Sequence, residues 1–128
     1  MELKNKTVLL VDDDERNTYA LSNFLEQEEL HVLEARNGEE AMHFLRDRPE
    51  IDIVLLDMMM PVMDGFETLQ AMQLENERIR SMPVIAVTAK AMKGDREKCL
   101  EAGAWEYISK PIQLSLLLEQ MKQCLDRI

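Results

Sequence analysis

Residues 51–65 read IDIVLLDMMMPVMDG, and the fold turns on how this stretch is parsed. The apolar run Ile53-Val54-Leu55-Leu56 stops at the carboxylate of Asp57, and three methionines, a proline and the pair Asp64-Gly65 follow. A run this short, bounded by a charge and by turn residues, reads as a strand buried on both faces. Open parallel sheets keep their ligands at the carboxyl ends of their strands, which is where such a strand carries Asp57. Taken alone, Asp57 could equally end the strand and cap what comes next. The flanking sequence separates the two readings.

Working outward, residues 7–11 (TVLLV) form another strand of the buried type, ending in Asp12-Asp13-Asp14. A helix follows, with Leu21, Phe24 and Leu25 at helical spacing and Glu26, Glu28 and Glu29 on the outside. Residues 31–35 (HVLEA) alternate more and suit a sheet edge. Asn37 with Glu40 three residues on resembles a capping box, opening a helix that carries Ala41, Met42, Phe44 and Leu45 and stops before Pro49. Downstream of Asp57, Asp64 and Glu67 make another such pair, and the helix they launch is expected to bury Phe66, Leu69 and Met72. Pro83 opens a strand over Val84, Ile85, Ala86 and Val87 that ends at Thr88. Residues 91–102 read as a weakly amphipathic, charged helix stopped by Gly103, and residues 105–109 as a short strand ending at Lys110-Pro111. The last helix shows Leu114, Leu117, Leu118, Met121 and Leu125 on one face. Five strand-helix units in strict alternation predict an α/β fold, a doubly wound five-stranded parallel sheet with helices on both faces. No repeat or linker composition interrupts it, so residues 1–128 are expected to form one domain.

The bulk numbers agree. With 46% hydrophobic and 31% charged residues, the chain has the composition of a folded domain rather than a disordered one. It has no apolar run long enough to cross a bilayer, and MELKNKTVLLVDDD reaches acids too soon for a signal peptide, so the expected location is the cytoplasm. A formal net charge of −10 argues against nucleic-acid binding by this domain and favours basic partners or a bound cation. Cys99 and Cys124 lie on separate predicted helices without metal-type spacing and read as buried, reduced thiols.

What ends each strand is the informative regularity: Asp12 and Asp13, then Asp57, then Thr88, then Lys110. In a parallel sheet these ends share one edge. Carboxylates about 4 Å apart repel by roughly 4 kcal/mol at an effective dielectric near 20, so either their pKa values rise or a cation neutralises them. An all-oxygen site that retains waters suits Mg²⁺. Lys110 and Thr88 supply donors for phosphoryl oxygens, leaving a carboxylate free to act as nucleophile toward phosphorus.

The four pieces VDDDERN, LLDMMMPVMDG, PVIAVTAKAM and YISKP, in this order and spacing, resemble the receiver domain of two-component response regulators along essentially the whole chain. The resemblance implies a flavodoxin-like strand order of 2-1-3-4-5. It makes Asp57 the phosphoacceptor, Asp13 a direct Mg²⁺ ligand and Asp12 a ligand acting mainly through water, with the Met59 backbone carbonyl completing the site and Mn²⁺ an acceptable substitute. It also implies Thr88 as switch hydroxyl, Lys110 as phosphate-binding lysine, Tyr107 as switch aromatic, and a cis Lys110-Pro111 bond. The expected partners are a histidine kinase or histidine phosphotransfer domain, and a downstream protein at the face made by the helix of residues 91–102, the fifth strand and the last helix. Such a domain is a signalling module that assists its own phosphoryl transfer and autodephosphorylation, not an enzyme with a substrate of its own.

Two positions tune phosphoryl lifetime in this family, and here they hold Met59 and Lys90, which favour a slow clock. The three consecutive methionines read as packing residues rather than a soft-metal site, and His31 and His43 as surface histidines. Trp105 either packs partly against the last helix, the favoured reading, or stands exposed beside the partner face. No DNA-binding or enzymatic segment follows the last helix, so the resemblance leaves open a free-standing receiver or one from a hybrid histidine kinase; TAKAMKGDREKCLEAGA leans to the latter. An Mg²⁺-dependent aspartyl phosphohydrolase would place a second acid where Met59 stands, and a phosphorylation-independent scaffold would not need the intact acid, threonine and lysine set.

Overall fold

Three strands, β1 (Thr7–Val11), β3 (Ile53–Asp57) and β4 (Val84–Thr88), are buried at every residue. Continuous apolar runs demand cover on both faces, and a central position in a parallel sheet supplies it. The computed structural model describes residues 2–89 and 94–128. The two edge strands, β2 (His31–Ala35) and β5 (Glu106–Ser109), are only partly buried, consistent with their mixed sequences. All neighbours pair in parallel in the order β2-β1-β3-β4-β5.

Helices α1 (Glu15–Gln27) and α6 (Leu114–Asp126) cover one face of this sheet, and α2 (Gly38–Asp47), α3 (Gly65–Gln73), α4 (Glu77–Arg80) and α5 (Asp95–Glu101) the other. Alternate strand residues feed the two layers. Val8, Leu10, Ile53, Leu55, Ile85 and Ile108 meet Leu21, Leu25, Leu117 and Met121. Leu9, Val11, Val54, Leu56, Val84 and Ala86 meet Ala41, Leu45, Leu69, Met72 and Ile79. Cys99 and Cys124 are free and buried in opposite layers, so the sheet itself separates them.

Helix ends follow local chemistry. Asp64 and Glu67 form a reciprocal capping box on α3. Asn37 accepts from the Glu40 amide at 3.0 Å, while Glu40 reaches back to the Arg36 amide, one residue before the cap. After α5, Ala104 N–H donates to Cys99 and Gly103 N–H to Leu100, with Gly103 at φ 120°. That is the two-bond ending that glycine favours. α1 ends with the same bond pattern, Leu30 to Leu25 and Glu29 to Glu26, but with Glu29 at φ 65° in the left-handed position.

Four sequence expectations need correction. Phe66 is 39% exposed instead of buried. Gly65, Thr68, Leu69 and Met72 form the inward face of α3, and Phe66 stands about 100° of helical rotation from Gly65. Leu114, at the start of α6, is likewise exposed, and Cys124 takes a place on the buried face. The four-residue α4 has no periodicity to betray it; its mark is Asn76, which accepts from the Ile79 amide at 3.1 Å. β5 begins at Glu106, one residue later than expected, and the helix expected over 91–102 is described as α5, with residues 91–93 outside the described residues. Trp105 is half-buried in the α1–α6 layer with the Arg127 guanidinium 4.8 Å above its ring, so partial burial against the last helix holds. His31 and His43 are exposed, and His43 lies 3.2 Å from Asp47.

Candidate functional site

The carboxyl edge of the sheet gathers the ionisable side chains that end the strands. β3 delivers Asp57, 5% exposed, and β1 runs straight into Asp12, 7% exposed. Asp13 follows and is exposed. One carboxylate oxygen from each of Asp12, Asp13 and Asp57 lies within 4.8 Å of the others, a spacing one divalent cation can bridge. Thr88 ends β4 and is buried at 4% exposure. Its carbonyl accepts the Lys110 amide at 2.7 Å, which fixes the start of the β5–α6 loop against the end of β4. Lys110 Nζ then stands 3.4 Å from Asp57 Oδ2 and 3.5 Å from Asp12 Oδ2. The Lys110–Pro111 peptide is cis, as the resemblance implied.

Backbone donors hold the two buried acids. Met59 N–H donates to Asp57 Oδ1 at 2.9 Å and Asp14 N–H to Asp12 Oδ1 at 2.8 Å. The Asp14 side chain in turn caps α1 by accepting from the Arg16 and Asn17 amides. The acid run at the end of β1 therefore splits its work: Asp12 and Asp13 turn into the cleft, and Asp14 starts the helix. Sequence reading left Asp14 without a role, although an acid just before an apolar periodic segment is an N-cap signal.

Electrostatics follow from this geometry. Burial is the largest influence on Asp57 and lifts its carboxyl above the ordinary range; the Met59 N–H opposes it, Asp12 pushes it further up, and Lys110 draws it back. For Lys110, burial is again the largest single influence and disfavours the ammonium. The charges and hydrogen bonds of Asp57 and Asp12 together outweigh it, so the pKa ends above the usual lysine value. Lys110 is thus a committed cation, and Asp57 a carboxylate whose charge the protein leaves underpaid in solvation. A divalent cation would relieve that deficit, and an all-oxygen donor set fits Mg²⁺.

Tyr107 sits opposite Ala86 in the β4–β5 ladder and packs half-buried in the α2–α5 layer. Burial, then Asp95 and Cys99, hold its hydroxyl above the ordinary phenol value. Met59 is half exposed at the cleft mouth, whereas Met58 and Met60 are buried in the core, so the three methionines divide between loop packing and surface. Lys90 lies outside the described residues. Beside the cleft, a cavity of about 530 Å³ opens between α1 and the start of α6, lined by Asn17, Ala20, Leu21, Pro111, Ile112 and Leu114. No helix among the described residues is long and apolar enough to cross a membrane.

This arrangement has close parallels. The family model of the response regulator receiver domain matches residues 8–122. The polar-differentiation response regulator DivK of Brucella anthropi is 37% identical over 121 residues, covering 94% of this chain and 96% of that protein. Among solved structures, a CheY-like response regulator receiver domain protein of Methanospirillum hungatei superposes with a TM-score of 0.84 at 32% identity, over 97% of this chain and 96% of that one. The receiver domain of the sensor histidine kinase PA1611 of Pseudomonas aeruginosa, which has a magnesium ion coordinated in its active-site cleft, gives a TM-score of 0.85 at 30% identity over 95% and 98% of the two chains. Matched from residue 8 to residue 122 and folded in the order β2-β1-β3-β4-β5, the chain belongs to the response regulator receiver domains of two-component signalling.

Proposed function

We propose that this receiver, spanning residues 1–128, accepts a phosphoryl group on Asp57 from a phosphohistidine of a cytoplasmic histidine kinase or phosphotransfer domain. The observation that carries the reading is the convergence of Asp12, Asp13, Asp57 and Lys110 in one cleft, with Thr88 buried at the end of the neighbouring strand. An Asp57 carboxylate oxygen bonds to phosphorus as the P–N bond of the donor breaks, and the imidazole nitrogen leaves with that electron pair. Met59 N–H orients the nucleophile through Oδ1. Lys110, whose raised pKa keeps it an ammonium at neutral pH, donates to the phosphoryl oxygens, and the Thr88 hydroxyl serves as a second donor. Asp12, Asp13, Asp57 and the Met59 carbonyl would hold Mg²⁺, or Mn²⁺ in its place, which supplies Lewis-acid neutralisation of the crowded oxygens.

Once converted to the acyl phosphate, Asp57 draws Thr88 toward the phosphoryl group, and Tyr107 follows into the space released. The face built from α5, β5 and α6 then meets its downstream partner. Moving a two-state element from 1:99 to 99:1 takes about 5.5 kcal/mol of differential interaction, a demand that several charge-assisted contacts can meet together. The same groups govern loss of the phosphoryl group to water, so the domain assists its own chemistry and acts on no separate substrate. Incubation with acetyl phosphate and Mg²⁺, followed by intact-protein mass spectrometry, should add one phosphoryl mass to the wild-type chain and none to Asp57→Asn. Labelling that survives in Asp57→Asn would overturn the assignment.

A further inference from the structure

The loop after Asp57 is strained, and it carries the start of α2. Met63 N–H donates to the Pro61 carbonyl at 2.8 Å across Val62, which stands at φ 69°. This is a γ-turn of the rare hand, built on a β-branched residue that ordinarily avoids positive φ. Val62 is 78% exposed, so burial of its side chain does not offset that strain. One end of the loop is tied to the Asp57 carboxylate through the Met59 N–H. At the other end the Met63 carbonyl accepts the Gly38 amide at 3.3 Å. The fit there is close: a Cβ on Gly38 would lie 2.6 Å from Met63 Cγ and would overlap Thr68 Oγ1. Gly38 is the first residue of α2, and Arg36, Glu39 and Glu40 around it are exposed.

From this chain of contacts we infer that the loop after Asp57 couples that carboxylate to the N-terminus of α2, so that the start of this helix responds to phosphorylation by a path separate from the α5–β5–α6 face. A change of charge at Asp57 alters the Met59 hydrogen bond, shifts the loop, and is felt at the Gly38 amide. The strained γ-turn keeps the loop near an alternative arrangement, which is what a small local change requires to move it. The inference rests on Asp57 as phosphoacceptor. It is tested on the full chain by amide hydrogen exchange in NMR, with and without Mg²⁺ and beryllofluoride, in wild type and Val62→Gly. In wild type, exchange at Gly38 should change about fivefold or more, within the range of ordinary allosteric couplings, alongside a change at the Lys110 amide. In Val62→Gly, where the turn is no longer strained, the Gly38 change should fall below about twofold while the Lys110 change persists. A response at Lys110 with none at Gly38, or a Gly38 response undiminished in Val62→Gly, overturns the inference alone. No response at either amide overturns it together with the phosphoacceptor reading.

Discussion

At the residue scale, Asp57 is a group the fold holds at some expense. Its folded pKa lies above its unfolded value, so the native state binds that proton more tightly than the unfolded chain does. For such an acid, stability is greatest while the group is protonated and falls as pH rises from the ordinary value of 3.8 through the raised one. At neutral pH the ionised carboxylate is a net cost. Asp57→Asn should therefore raise Tm at pH 7 in metal-free buffer, with the gain shrinking as pH falls toward the ordinary carboxylate range, as differential scanning calorimetry would register. Lys110 retains Asp12 as a partner in that variant. Its own contribution has the opposite form: a raised lysine pKa contributes in full below 10.5 and is lost as pH climbs through the folded value. Met59 belongs to this scale as well. Its side chain offers no hydrogen bond to an attacking water, so the aspartyl phosphate should be long-lived, and Met59→Asn should shorten its half-life about tenfold or more in a radiolabel-decay assay. A half-life of seconds in wild type, unchanged by Met59→Asn, would refute the slow clock.

At the scale of elements, the seam between α2 and α3 has no spare room. Thr68 is fully buried and its hydroxyl donates to the Asp64 carbonyl at 2.7 Å, so it cannot step aside for a larger neighbour. Gly38→Ala should cost about 1–3 kcal/mol, the usual penalty of overpacking, despite alanine's better helix propensity; urea unfolding would read it as a lower midpoint at unchanged m-value. The constraint on Gly38 comes from Met63 and Thr68, which lie 25 and 30 positions away in the chain. Elements with strong local signatures were legible from residues alone: the capping box at Asp64 and Glu67, the glycine stop at Gly103, and the buried runs of β1, β3 and β4. Phe66 was misassigned because helical spacing fits more than one face. Which face turns inward was decided by Gly65, where a Cβ would lie 2.6 Å from Met58 Cα.

At the scale of the whole molecule, a cation held in the acid cleft would link folding to metal. A cation that binds only the native state stabilises by RT ln(1 + [L]/Kd), about 2.7 kcal/mol at one hundred times Kd. Mg²⁺ should therefore raise the wild-type Tm progressively, beyond any effect of NaCl at equal ionic strength, and should raise that of Asp13→Asn much less. Equal responses in the two proteins would remove Asp13 from the metal site.

By itself the sequence determined the alternation of strands and helices, the burial of the central strands, and the set of side chains that end them. Those are consequences of short-range periodicity and of apolar runs that must leave water. The tertiary structure alone decided that Asp14 caps α1 while Asp12 and Asp13 face the cleft, that Lys110 stands between Asp12 and Asp57, and that Gly38 bears on the loop after Asp57. Each of these joins residues on different elements, through distances that only the sheet register and the packing of its two helical layers can set. Asp57 itself shows the division: its place at the end of a buried strand is written in residues 51–65, and its charge state is set by neighbours from β1 and from the loop after β5.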